Sequence, residues 1–370
     1  MVIVPGGTKI SEITLTYFED FPHKIAYERW SSKKSAYKSM LGGLKVNDRA
    51  VGLLEQYDIE VLRTRKGRGA VLCDTPQGCL IFKEYAGSEE KISVQNKLLQ
   101  HIHEQGKVQA EMLIPTKDGA LTVKDGDGVS YILKTYCESR ECNIYDRAEC
   151  VEAVKLLAQL HECMQFPADT EWLPAPINPA KEYEKHNREL KKVRKYLQQR
   201  SQKTWFEIRL LNTYDLFLEQ ALAVAQEWDS YRQSVGECPK GSYCHGDYQY
   251  HNILRKGEGW FLANFEKCLP DSAMRDLYLL LRKLLEKSNW SVSLGEELLG
   301  AYEEVRPISA IDRIDLYYRL FYPEKFWKIV NFYYNSGKAW IPGRNTEKLE
   351  KVIQQEKEKQ IFLNEVFRRV

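Results

Sequence analysis

The chain has 370 residues, 43% of them hydrophobic and 29% charged, with a formal charge of +2. That length fits one large domain or two lobes around a cleft. The near-neutral charge supplies no global field for nucleic acid or an anionic membrane, so neither is an expected partner.

The first residues, Met-Val-Ile-Val-Pro-Gly-Gly, turn polar too soon for a signal peptide. No apolar run approaches the ~20 residues of a membrane-spanning helix, and cytoplasmic synthesis is the default expectation. Residues 1–42 have weak periodicity, close on Gly42-Gly43 and read as an N-terminal extension. Residues 43–137 have a β texture and read as a small lobe. There Ile59, Val61 and Leu62 lead into Arg65-Lys66-Gly67-Arg68-Gly69, and a turn at 75–78 splits two short apolar runs into a hairpin. The Gly67/Gly69 turn either covers phosphates or is a plain turn. Ser88, Glu89 and Glu90 start a helix whose apolar stripe is Ile92, Gln95, Leu98, Leu99 and Ile102, and Gly106 ends it. Strand-like pieces follow at 112–114, 121–123 and 130–136, with Asp-Gly turns between them.

Residues 138–370 read as a helical lobe, with helices from 151, over 181–203, 212–232, 275–287, 295–304, 311–322 and 345–368. A β-rich first third and a helical remainder make the expected fold class α+β, two lobes with a cleft between them. The helix at 181–203 carries nine Lys/Arg against three Glu, which is either a solvated face or a seat for an anionic partner. Nine cysteines without a Cys-x-x-Cys pair read as free thiols rather than a disulfide framework or zinc site.

The chemistry concentrates in His245-Gly246-Asp247 followed by Asn252, with Ile253-Leu254 as an apolar exit. Phosphoryl transfer to a hydroxyl needs a carboxylate to orient the attacking oxygen and take its proton. It also needs an oxygen ligand nearby for nucleotide-bound magnesium. The Asp-to-Asn spacing at residues 247 and 252 is that of the protein-kinase catalytic loop. Upstream, Lys83 sits near the end of a strand after the glycine turn; downstream, residues 259–266 form a strand entering a loop. His161 and His251 read as packing residues.

With these parts in this order, the chain resembles the aminoglycoside phosphotransferase and choline kinase group, and more closely the CotS-type spore-coat proteins of endospore-forming bacteria. The closer resemblance rests on Glu55-Gln56-Tyr57-Asp58, on residues 114–119, on Tyr322-Pro323-Glu324-Lys325-Phe326-Trp327-Lys328 and on residues 333–340. It implies a protein-kinase-like fold that binds ATP and Mg2+, with Asp247 as base and Asn252 as metal ligand. Lys83 would meet the α/β-phosphates, with Gly67 and Gly69 above them. Residues 134–138, including Tyr136 and Glu138, would form the hinge against the adenine. His245 and Asp276 would brace the loop.

Two positions depart from the family pattern. The metal-binding Asp of Asp-Phe-Glu is Asn264 here, in Asn264-Phe265-Glu266. An amide lacks the charge a hard cation rewards. Glu266 is either a substitute ligand or a structural residue. The glutamate that should pair with Lys83 is Gln95. Resemblance and departures together imply a spore-coat-associated nucleotide-binding protein with weak or absent phosphotransfer. It would be made in the mother cell and have other coat proteins as possible partners. The alternative is an active ATP/Mg-dependent kinase acting on a hydroxyl of a small molecule or coat protein.

Overall fold

The computed structural model describes residues 48–67, 69–167, 169–174, 179–235, 241–335 and 343–367. The extension read at 1–42, and Cys238, lie outside the described residues. The chain falls into two compact units, Met1–Leu54 and Glu55–Val370. In the first, Asp48–Val51 is helical; the sheets and long helices belong to the second.

A six-stranded sheet comes first. Its strands are β1 (Arg63–Gly67), β2 (Ala70–Thr75), β3 (Gly78–Glu84), β5 (Leu113–Ile114), β6 (Val123–Lys124) and β7 (Ser130–Thr135). The order is β1-β2-β3-β7-β5, with β6 also paired to β7 and the pairs antiparallel. Register decides what shares a face, because directly opposed residues point the same way. Arg65, Leu72, Ile81 and Lys134 form one row across the sheet, and Gly67, Ala70, Lys83 and Ile132 form another. Since Ile81 and Lys83 are two residues apart, both lysines emerge from the same face. The apolar run Ile59-Val61-Leu62 lies before β1 rather than in it, and Leu62 is exposed.

Helix α1 (Glu89–Gln105) packs beside this sheet. Ser88 Oγ accepts from Lys91 N–H, the first turn carries Glu89 and Glu90, and Gly106 closes the helix at φ 67°. The buried stripe is the expected one: Ile92, Gln95, Leu98, Leu99 and Ile102. Gln95 is the exception in kind, because neither amide atom has a partner. Orphaning a buried polar group of this type costs about 1–3 kcal/mol.

The remainder is largely helical: α2 (Arg147–Cys163), α3 (Pro179–Gln199), α4 (Trp205–Val235), α5 (Met274–Lys287), α6 (Val292–Glu303), α7 (Ala310–Phe321), α8 (Glu324–Asn335) and α9 (Gly343–Phe367). α3 buries Tyr183, Leu190, Val193 and Leu197, which recur at helical spacing. The main core joins α1, α2, α5, α6 and the end of α9. A second core is built where α3, α4 and α8 meet, around Tyr214, Phe217, Trp228, Phe326 and Tyr333. The aromatic stretch 322–328 belongs to this second core. The Tyr322 hydroxyl donates to Asn187 Oδ1 at 2.9 Å, Trp327 Nε1 donates to Glu189 Oε2 at 2.9 Å, and His186 stacks on Trp327 at 3.5 Å. All eight described cysteines are free.

Candidate active site

The catalytic-loop motif hangs between short strands. β8 (Tyr243–Cys244) pairs with β11 (Leu269–Pro270). β9 (Ile253–Lys256) pairs with β10 (Gly259–Leu262), and β10 runs parallel to β4 (Gln109–Ala110). Gly246 is required in this loop: its φ is 77°, and a Cβ there would run into the Lys267 carbonyl oxygen and the Leu269 side chain. Asp276, fully buried in the first turn of α5, accepts from His245 N–H at 2.6 Å and Gly246 N–H at 2.9 Å. Burial pushes its pKa up, but His161 and the loop amide outweigh that and hold it below the usual value. His161 is therefore more than a packing residue. Its Nε2 stands 3.4 Å from Asp276 and its Nδ1 is 2.7 Å from the Tyr302 hydroxyl. His245 ties the loop to the next strand. Its Nδ1 accepts from Asp247 N–H at 3.2 Å, which leaves Nε2 to donate to the Ala263 carbonyl at 3.0 Å.

Asp247 is half-buried and already engaged. Oδ2 lies 2.8 Å from Lys267 Nζ, and Oδ1 accepts from Gln249 Nε2 at 2.7 Å. Burial raises its pKa, and the Lys267 ammonium more than reverses this. Asn252 Nδ2 donates to the Asp247 carbonyl at 2.7 Å, so the loop keeps its Asp-to-Asn geometry. Asn264 adopts the left-handed conformation, φ 69° and ψ 55°, which asparagine tolerates better than most residues. Its Nδ2 donates to Asn252 Oδ1 at 2.7 Å.

Lys83 and Lys134, which share a sheet face, converge on one carboxylate. Glu266 Oε1 is 3.0 Å from Lys83 Nζ and 2.7 Å from Lys134 Nζ. Lys134 is 2% exposed, and its second carboxylate, Glu111 at 2.8 Å, is 1% exposed. Burial alone would pull the Lys134 pKa down; Glu111 and Glu266 more than reverse that. Glu266, pushed up by burial, is brought well below the carboxylate range by Lys134 and Lys83. Glu111 also accepts from the backbone N–H of Asn264 (2.7 Å) and Phe265 (3.0 Å), so it fixes the strand end that carries residue 264. Lys134 was read in sequence as the start of the hinge; it lies inside β7, and only residues 136–138 follow the strand. Gln95 takes no part in these pairs, and Lys83 finds its partner in Glu266.

At the other end of the sheet, Arg65 spans Asp74 (2.7 Å) and Glu138 (2.7 Å) and reaches Cys79 Sγ at 3.8 Å. Asp74, Cys79 and Glu138 are, among the described residues, the one group of three side chains spaced for a metal, and the guanidinium fills the space between them. Tyr136 N–H donates to the Cys79 carbonyl at 2.9 Å. Gly67 ends β1 and Gly69, at φ 69°, makes the turn into β2.

The residues that the kinase resemblance assigns to magnesium do not fit a cation as they stand. The Asn252 amide oxygen accepts from Asn264, the Asn264 amide oxygen accepts from Lys134 at 3.3 Å, and Glu266 Oε1 faces two ammonium groups. A hard cation would bind through these same oxygens and would have to compete with the N–H and ammonium groups that now face them.

A family model described as "Spore coat putative kinase YutH" matches residues 51–366. The chain belongs to that family. Spore coat protein S of Bacillus subtilis (strain 168) is 23% identical over 322 residues, which cover 82% of this chain and 88% of that protein. Among solved structures, the aminoglycoside phosphotransferase from Alicyclobacillus acidocaldarius subsp. acidocaldarius DSM 446 superposes with a TM-score of 0.74. It has 19% identity, covering 89% of this chain and 98% of that one. Spectinomycin phosphotransferase, solved with ADP and spectinomycin, gives 0.58 at 13% identity, covering 89% and 100%. This spore-coat family member therefore has the aminoglycoside phosphotransferase fold, with a β-sheet N-terminal region and a largely helical remainder, as its sequence implied. Among the described residues no helix is long and apolar enough to cross a membrane.

Sequence reasoning missed Glu111, Lys267 and the part played by His161. Lys267 follows the Asn-Phe-Glu motif directly, and a cation at that position was the one signal available.

Proposed function

We propose that this protein is a coat-resident nucleotide-binding module in which phosphotransfer is weak or lost. In this reading, residues 43–137 and 138–370 act as the two lobes of a kinase. Adenine rests against Tyr136 and Glu138, Gly67 and Gly69 cover the phosphates, and Lys83 contacts them. The ADP-bound likeness supports the nucleotide, and the family description supports the coat. The exposed basic face of α3 (Lys181, Lys185, Lys191, Lys195) suits an anionic coat component. Synthesis in the mother cell accords with this.

One observation carries the loss of catalysis: Asp247 is paired with Lys267 at 2.8 Å. A base must be free to accept the acceptor's proton, and a carboxylate held by an ammonium is both weaker as a base and partly screened from the acceptor. The test is ADP production from ATP in magnesium buffer by the wild-type protein and by Asp247→Ala. The two are expected to agree at background level. Turnover that falls by orders of magnitude in Asp247→Ala would establish the active-kinase reading instead.

A further inference from the structure

The misfit with magnesium follows from a hydrogen-bond chain whose direction is set at both ends. Lys134 Nζ can only donate, and the Asp247 carbonyl can only accept. Between them the order is forced: Lys134 Nζ to Asn264 Oδ1 (3.3 Å), Asn264 Nδ2 to Asn252 Oδ1 (2.7 Å), Asn252 Nδ2 to the Asp247 carbonyl (2.7 Å). Turning over either amide sets oxygen against oxygen or N–H against ammonium. Lys134 and Asn252 are buried, so water does not repair such a mismatch.

We propose that this Lys134–Asn264–Asn252 relay stands in place of the divalent cation, and that the cleft takes a nucleoside polyphosphate in its metal-free form. The ligand half of this inference rests on the nucleotide-binding reading; the relay does not. Lys134 already places an ammonium at the back of the site, its charge balanced by Glu111 and Glu266. Lys83 is the cation on hand for phosphate oxygens, at the cost of loosening its pair with Glu266. Residue 264 is the switch. An aspartate there presents an oxygen, not an N–H, to Asn252 Oδ1, with no proton between them. Rotating the Asn252 amide only moves the conflict to the Asp247 carbonyl. A cation between residues 252 and 264 is the remaining remedy, so the amide at 264 and independence from metal are one property.

The experiment is thermal unfolding in EDTA and in magnesium chloride, without nucleotide. Wild type is expected to melt at the same temperature in both. Asn264→Asp is expected to melt lower in EDTA and to recover by roughly 5 °C when magnesium reaches about a hundred times its Kd. Asn264→Ala, which loses the hydrogen bond without supplying a carboxylate, should melt lower and gain nothing. Magnesium stabilisation of wild type, or Asn264→Asp indifferent to magnesium, overturns the relay. Should Asn264→Asp fail to fold, paramagnetic resonance of Mn2+ added to wild type decides: no bound ion supports the proposal and one bound ion overturns it. Because the melts contain no nucleotide, a protein that ignores ATP would remove the ligand half and leave the relay standing.

Discussion

Lys134→Met is expected to cost about 3–5 kcal/mol of unfolding free energy, among the largest effects of any single replacement in the sheet. The methionine fills similar space, so the loss is electrostatic rather than a cavity. Without the ammonium, Glu111 at 1% exposure loses its only ion-pair partner among the described residues, and Glu266 keeps only the half-exposed Lys83. Breaking one side of a buried pair costs far more than the pair contributed, because the remaining charge is stranded in low dielectric. The damage should spread, since Glu111 also receives the backbone N–H groups of Asn264 and Phe265. Urea unfolding of the two proteins checks this. A difference under about 1 kcal/mol would mean that water reaches Lys134 and that the network is a surface one.

Asp276→Ala should cost a similar amount, about 3–5 kcal/mol, by a different route. It orphans the buried N–H of His245 and the partly buried N–H of Gly246, worth up to about 1–3 kcal/mol each when left unpaired, and strips His161 of its acceptor. The consequence is local as well as global. Amide exchange in the peptide carrying residues 245–252 should accelerate by an order of magnitude or more in the variant, while α1 exchanges as before apart from the overall loss of stability. Unchanged protection of the loop would show that β8, β9 and Gly246 hold it without Asp276. Asp276→Asn, which can serve only one of the two amides, should fall between.

Much of this architecture was legible in the residues because it is periodic or contiguous. The α1 stripe, with its serine cap and glycine stop, repeats at helical spacing, so its buried face could be read directly. The catalytic loop could be read because its parts lie within eight residues and Gly246 tolerates no Cβ. The stretch 322–328 marked the subfamily, and its structural reason is now visible: Tyr322, Phe326 and Trp327 lock α8 against α3 and the residues around it. The ion-pair network at the site was not legible. Lys134 meets Glu111 from 23 positions away and Glu266 from 132, and charge pairing across a fold has no period to betray it. In sequence Lys134 was the first residue of an apparent hinge, and Glu111 was one acid before a short strand. The same blindness hid the cluster of Asp271, Arg275, Asp315 and Arg319, in which buried Arg319 sits 2.8 Å from Asp271 and 2.9 Å from Asp315. Asn264 was noticed as a lost carboxylate. That its amide hydrogen replaces what the carboxylate would have held needed the positions of Asn252 and Lys134 together.

On the proposed reading, an intact kinase loop here serves a nucleotide site that works without a divalent cation. Calorimetric titration of the wild-type protein with ATP, once in EDTA and once in magnesium chloride, tests it most directly. Binding is expected in both buffers, with Kd values within about threefold of each other. Binding that requires magnesium, or that weakens more than about tenfold in EDTA, would contradict it.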